Sequence, residues 1–179
     1  MTKKIISIIF LVALFHCTSS GISAVEMIHT GSASLKSALN QSREYYIQKK
    51  AMENVLAKNN SILKLYTHDY LTASYAYNID PYLLVSISGL ESSFGKRMKE
   101  NTFNAYGWGG GHLSFESWPH GIFTISRSLR FKYYDRGAET ISDIGRKYAA
   151  SPTWAARVNK FIAKFYQEEN RLKRLSYLL

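Results

Sequence analysis

One carboxylate in this chain stands where a charge is out of place. The stretch Asp80-Pro81-Tyr82-Leu83-Leu84-Val85-Ser86-Ile87-Ser88-Gly89-Leu90-Glu91-Ser92-Ser93-Phe94-Gly95 reads as a helix with Leu84, Ile87 and Glu91 at i, i+3 and i+7, hence on one face. Asp80 is a good N-cap, and Pro81 suits the first helical position, where its missing N–H costs nothing. Gly95 reads as the stop, because the residue after a helix often takes the left-handed conformation. Glu91 therefore closes an otherwise apolar stripe. Two readings stand: the helix ends and the side chain escapes to water, the usual fate of Glu, or the apolar stripe and the helix C-terminus disfavour its ionised form. A carboxyl that keeps its proton near neutral pH can act as a general acid.

Downstream comes Asn101-Thr102-Phe103-Asn104-Ala105-Tyr106-Gly107-Trp108-Gly109-Gly110-Gly111-His112. Aromatics among glycines make poor helix and poor strand, so this is a loop or a short hairpin. Exposed rings beside amides and hydroxyls suit sugars, whose C–H faces stack while their hydroxyls take hydrogen bonds. At these residues the chain resembles the lysozyme-like superfamily, and within it the bacterial glucosaminidase-type peptidoglycan hydrolase domains, with lytic transglycosylases as more distant relatives. The pieces that carry the likeness are Gly89-Leu90-Glu91-Ser92-Ser93-Phe94-Gly95, then Asn104-Ala105-Tyr106-Gly107-Trp108-Gly109. After them come Ser114-Phe115-Glu116-Ser117-Trp118, and Tyr148-Ala149 ahead of Pro152-Thr153-Trp154-Ala155. Each is short; their order and spacing, over roughly Asp80 to Phe165, make the resemblance.

The resemblance implies cleavage of the peptidoglycan glycan strand, with Glu91 as the acid. Such cleavage needs a proton for the leaving oxygen and usually a second carboxylate as base or nucleophile. Glu116 is the second candidate, because it follows the aromatic loop and can return across a cleft; its other reading is a solvent-facing residue ahead of the next helix. Asp135, Glu139 and Asp143 read as turn or surface charges. Lytic transglycosylases work with one catalytic carboxyl, so a missing partner would not disprove catalysis. Tyr148 lies by position on an apolar stripe with Ile141 and Ile144, while by resemblance it matches a tyrosine near the catalytic Glu. Ser92 matches the family's Glu-Ser pair and is expected to orient backbone or sugar. Asn104, Tyr106 and Trp108 are the remaining substrate-binding candidates, Trp108 having the alternative of plugging the loop into the core.

The elements that must position these residues are helical. Residues Leu39 to Ala57 carry Tyr45, Met52, Val55 and Leu56 on one side. Asn59-Asn60 break that helix, and Ser61 can cap a second one carrying Ile62, Leu65, Tyr66, Ala73 and Tyr77. Beyond the loop, Ser117 is an N-cap with Pro119 in the first turn, and Trp118, Ile122, Ile125 and Leu129 face the core. Tyr133 to Gly137 turns the chain, Ala138 to Ala149 is the next helix, and Ser151-Pro152 opens a last one with Trp154, Val158, Phe161, Ile162 and Phe165 on one face. The basic tail from Gln167 continues that helix in the simplest reading. The expected fold class is all-α, a lysozyme-like helical domain with a glycine/aromatic loop or small β-hairpin beside the cleft.

Met1 to Ala24 reads as a secretory signal peptide, with Lys3-Lys4, an apolar run from Ile5 to Phe15 and then small residues. That run is too short to span a bilayer, which takes about 20 residues, so no transmembrane anchor is expected after leader cleavage. Cys17, the single cysteine, lies in this leader; a lipoprotein anchored through it is the less favoured alternative, because the residues before it match a lipobox poorly. Residues 25–38, rich in Ser, Thr and Gly, are expected to be a linker, and residues 39–179 a single catalytic domain stabilised by packing, with no disulfide.

The chain carries 23 Lys+Arg against 13 Asp+Glu, a net charge of +10, and stays strongly positive without Lys3 and Lys4. Such charge suits an anionic partner such as wall polymer, lipid or nucleic acid; Lys96, Arg97 and Lys99 crowd behind Glu91 but form no nucleic-acid motif. His29, His68, His112 and His120 lack the spacing of a metal site. Nothing resembles a nucleophile elbow, and the glycine run follows no strand, against a phosphate loop. No metal and no cofactor are expected. The sequence thus points to an exported hydrolase, periplasmic or extracellular, acting on peptidoglycan as an N-acetylglucosaminidase. A lytic transglycosylase or muramidase on the same scaffold, or a non-catalytic wall-binding protein, are the alternatives.

Overall fold

The computed structural model describes residues 24–176. The leader expected up to Ala24 and Cys17 lie, except for Ala24 itself, outside the described residues. Six α-helices are present among them: α1 (Ala24–Lys58), α2 (Thr67–Ala76), α3 (Leu83–Ser92), α4 (Trp118–Lys132), α5 (Ile141–Tyr148) and α6 (Trp154–Ser176), with 3-10 turns at Ile62–Tyr66 and Tyr134–Arg136. The described residues contain no strand; the all-α expectation holds, and the glycine-aromatic segment is a loop, not a hairpin. No helix among them is long and apolar enough to cross a membrane.

The chain divides after Leu39 into two units. In the first, α1 already runs from Ala24, so the linker expected over residues 25–38 is helical instead. Strong helix formers in that span (Glu26, Met27, Leu35, Lys36, Ala38) outweigh one glycine when no proline interrupts them. Side chains 33–39 are exposed.

The second unit, from Asn40, holds the core. Helix α3 is its axis: Leu83, Leu84, Val85, Ser86, Ile87, Ser88 and Gly89 are all buried, so this helix is covered all round rather than on one stripe. It packs on α6 and α4, while α2 packs on α4 and α5 on α6. Tyr82 stacks on Phe165 at 5.2 Å between ring centres, and Phe94 meets Phe161 edge-on at 5.4 Å. Trp118, Ile122, Ile125 and Leu129 of α4 are buried as expected. Its N-cap is Ser117, whose hydroxyl accepts from the His120 N–H at 3.2 Å.

Three local expectations change. Asp80 caps a turn rather than the helix: its Oδ1 accepts from the Tyr82 N–H at 2.7 Å, and α3 starts at Leu83. The helix stops before Gly95, at Ser92, because Ser93 and Phe94 already take left-handed angles with φ of 53° and 60°. Ser61 does cap, with its hydroxyl accepting from the Leu63 N–H at 3.1 Å, but what it caps is a 3-10 turn. At three residues per turn the inward position passes to Leu63, and Ile62 and Leu65, expected inside, are exposed. The tail beyond Gln167 continues α6 as far as Ser176.

Candidate active site

Glu91 occupies the last turn of α3, and its side chain is exposed. The apolar enclosure anticipated from the stripe stops short of the carboxyl, since Leu84 and Ile87 are buried deeper along the same helix. What fixes the carboxyl is a specific donor. The indole Nε1–H of Trp154 donates to Glu91 Oε1 at 2.7 Å. Trp154, the first residue of α6, is buried, and its ring stacks on Tyr148 at 4.8 Å between centres with 27° between planes. An indole N–H can only donate, so Oε1 is held as an acceptor. A proton available for transfer therefore belongs on Oε2.

Space around Oε2 is kept by Gly107. A Cβ on this residue would lie 3.2 Å from Oε2, and its backbone sits at φ +63°, a conformation that disfavours side chains. The carboxyl thus faces the aromatic loop directly. Beside it, a recess of about 300 Å³ is lined by Gly107, Trp108, Gly109, Gly110, Tyr133 and Tyr148. Trp108 packs against Tyr148 at 5.6 Å and Tyr133 at 6.5 Å, with the Lys132 ammonium over its ring. A larger hollow of about 480 Å³ lies between α5 and the start of α6. Its lining is Ser142, Gly145, Arg146 and small residues of 149–155, with neither a carboxylate nor an aromatic ring. Aromatic walls beside a carboxyl make the smaller recess the better candidate.

Tyr148 is brought to the site but does not touch the carboxyl with its hydroxyl, which donates to the Tyr106 backbone carbonyl at 2.6 Å. Burial first, then the nearby Glu91 charge, push that phenol well above its ordinary range, so it remains a neutral donor. Its part is to tie α5 to the loop and to carry the stack under Trp154.

Three of the substrate-binding candidates hold the loop from within, Ser92 in the backbone-orienting role that was one of its two expected ones. Ser92 is buried; its hydroxyl donates to the Ala105 carbonyl at 2.7 Å and accepts from the Gly95 N–H at 2.8 Å. Asn104 is buried, donating from Nδ2 to the carbonyls of Trp108 at 2.9 Å and Leu113 at 2.8 Å. Its Oδ1 accepts from the Trp108 N–H at 3.1 Å. Tyr106 is fully buried, its hydroxyl sharing a hydrogen bond of 2.7 Å with that of Tyr70. A loop without helix or sheet must satisfy its backbone with side chains, and these polar residues do so. Of the four substrate-binding candidates, Trp108 alone opens onto the recess.

Glu116 stands apart: its side chain is 88% exposed and pairs with His120 at 3.5 Å, the solvent-facing alternative. Among the described residues, no second carboxylate is joined by hydrogen bond or ion pair to Glu91, Tyr148, Trp154 or Trp108. Asp143 caps α5 in a reciprocal arrangement with Thr140, and Asp135 pairs with Arg130 at 2.8 Å. No group of three or more His, Cys, Asp or Glu side chains is gathered as a metal would need among those residues.

Trp154 lies on the core face of α6, as its spacing predicts, and has a second role that the spacing does not reveal. The available signal was chemical: a buried indole needs an acceptor for its N–H, and few acceptors approach an apolar helix face. Compared with known proteins, the chain matches no protein-family model and no curated protein.

Proposed function

We propose that this protein cleaves the glycan strand of peptidoglycan, with Glu91 as its general acid, on a lysozyme-like scaffold. The observation that carries the reading is the carboxyl fixed by the Trp154 indole at 2.7 Å, with its Oε2 against Gly107, which also lines a recess walled by Trp108, Tyr133 and Tyr148. A sugar ring seated on these aromatics would present its glycosidic oxygen to Oε2. Glu91 gives its proton to that oxygen as the C–O bond breaks. The resulting carboxylate then takes a proton from the incoming hydroxyl as the new C–O bond forms, which restores the acid. The resemblance of the motifs favours the bond after N-acetylglucosamine, in an exported enzyme.

A lytic outcome is the second reading, and one observation favours it: Glu91 has no linked carboxylate partner among the described residues. A single carboxyl suffices when the incoming hydroxyl is the substrate's own. The test is mass spectrometry of soluble fragments released from purified peptidoglycan by the wild type and by Glu91→Gln. New sugar ends from the wild type alone support the reading, and a reducing or anhydro terminus separates hydrolysis from the lytic route. Binding to wall material without release of any fragment by the wild type would instead make the protein a wall-binding module, and equal release by both proteins would remove Glu91 from the reaction.

A further inference from the structure

A second groove lies between the end of α3 and the first half of α6. It measures about 520 Å³, and its walls include Arg97, Arg157, Lys160 and Lys164, with Leu90 and Phe161 between them. Four cations thus surround an apolar strip, and no acid is among the lining residues. Arg97, Arg157 and Lys160 have no ion-pair partner among the described residues, and Lys164 lies over the Phe161 ring at 4.9 Å. Unneutralised like charges gathered around a concavity repel one another, and an anionic ligand relieves that repulsion.

The same two helices that carry Glu91 and Trp154 wall the groove. Leu90 immediately precedes Glu91 on α3. On α6, Trp154, Arg157, Phe161 and Lys164 follow at i, i+3, i+7 and i+10, one stripe of the helix. That stripe starts at the indole that holds Glu91 and extends about 15 Å, from the rise of 1.5 Å per residue. Its floor is firm. Phe161 rests edge-on against Phe94, and a Cβ at Gly89 would lie 2.7 Å from Phe94 and 3.0 Å from Phe161, so the ring occupies a fitted slot.

We propose that this groove binds a short acidic peptide carried by the same strand that Glu91 cleaves, so that the protein distinguishes peptide-bearing glycan from bare glycan. The proposal rests on the reading of the site as a peptidoglycan-cleaving one. The lining selects the class of ligand. Carboxylates of a peptide meet the guanidinium and ammonium groups, while its aliphatic side chains lie on Leu90 and Phe161. A phosphate polymer offers nothing to the apolar strip. A membrane surface calls for protruding apolar residues, whereas the apolar groups here are recessed between the charges.

Binding is measured with Glu91→Gln, which leaves the groove intact while removing the acid, on soluble glycan fragments with their peptides and after enzymatic removal of those peptides. The expected result is about tenfold tighter binding to the peptide-bearing fragments, what two or three exposed ion pairs supply. The preference should shrink as salt is raised. Adding Arg157→Glu and Lys160→Glu should abolish the preference, while the charge-keeping pair Arg157→Lys and Lys160→Arg should retain it, which separates lost charge from lost fold. Equal binding of both fragment types, a preference that survives charge reversal, or tighter binding of inorganic polyphosphate than of acidic peptide would each overturn the proposal. If wild type still releases sugar ends from the wall in those cases, the groove assignment alone falls. If it neither binds nor cleaves glycan, the reading of the site falls with it.

Discussion

At the scale of single residues, the chemistry of this site depends on which oxygen of one carboxyl is free. Trp154 engages Oε1, and Oε2 lies against Gly107, where a side chain would crowd it. Trp154→Phe keeps a ring against Tyr148 and deletes only the donor. Turnover on glycan fragments should fall by about tenfold to a hundredfold, with KM changed far less, since the loss concerns alignment of the acid and not sugar binding. The place of Glu91 at the end of α3 was legible in the sequence because a charge that ends an apolar stripe stands out. For Ser92 the backbone-orienting role was one of two readings; the roles of Asn104 and Tyr106 were not legible, because a polar residue that satisfies backbone and one that faces a ligand look alike until the loop is folded. Trp154 was hidden for the opposite reason: as an aromatic at helix spacing it was fully explained by the core.

Among the elements, the joint between α3 and the loop is the point of greatest constraint. Ser93, Phe94 and Gly95 take left-handed angles in succession, which reverses the chain directly behind Glu91. For Ser93 and Phe94 such angles are held by their surroundings rather than preferred. Ser92 stabilises this reversal through Gly95 and fixes the loop through Ala105. Ser92→Ala would leave a buried carbonyl and an N–H without their partner, and should cost about 1–3 kcal/mol in denaturant unfolding. Helix faces were readable from periodicity, as the buried Trp118, Ile122, Ile125 and Leu129 show. The switch from α to 3-10 geometry after Ser61 was not, since a difference of about 0.6 residue per turn leaves no mark in so short a segment. Nor was the start of α1, where composition resembled a linker while propensity favoured helix.

For the whole unit from Asn40 onward, acid resistance depends on α6. Glu168 is buried against Arg171, Asn54 and Lys58, with Arg171 Nη2 at 2.6 Å and Asn54 Nδ2 at 2.7 Å. The Arg171 hydrogen bonds lead in holding its carboxyl down, from the ordinary 4.5 to about 2. A depressed carboxyl contributes stability that is complete above its unfolded value and is lost as pH falls through its folded one. Thermal unfolding followed by circular dichroism should therefore show the melting temperature dropping between about pH 4.5 and 2. Glu168→Gln should lower it at neutral pH and flatten that acid limb. The excess of basic residues adds to the same trend, because protonating acids leaves the cations unopposed.

The bond between Trp154 and Glu91 also gives the molecule an optical readout. Three tryptophans are present in the sequence; Trp108 lines the recess, and Trp154, stacked on Tyr148 behind it, is bonded to the carboxyl through its excitable ring. Anything that draws the carboxyl away from the indole, whether a seated sugar or a change of its proton, alters the surroundings of that chromophore. Intrinsic emission should then shift as ligand is titrated in, with no label attached, and the shift should shrink in Trp154→Phe to the part that Trp108 contributes.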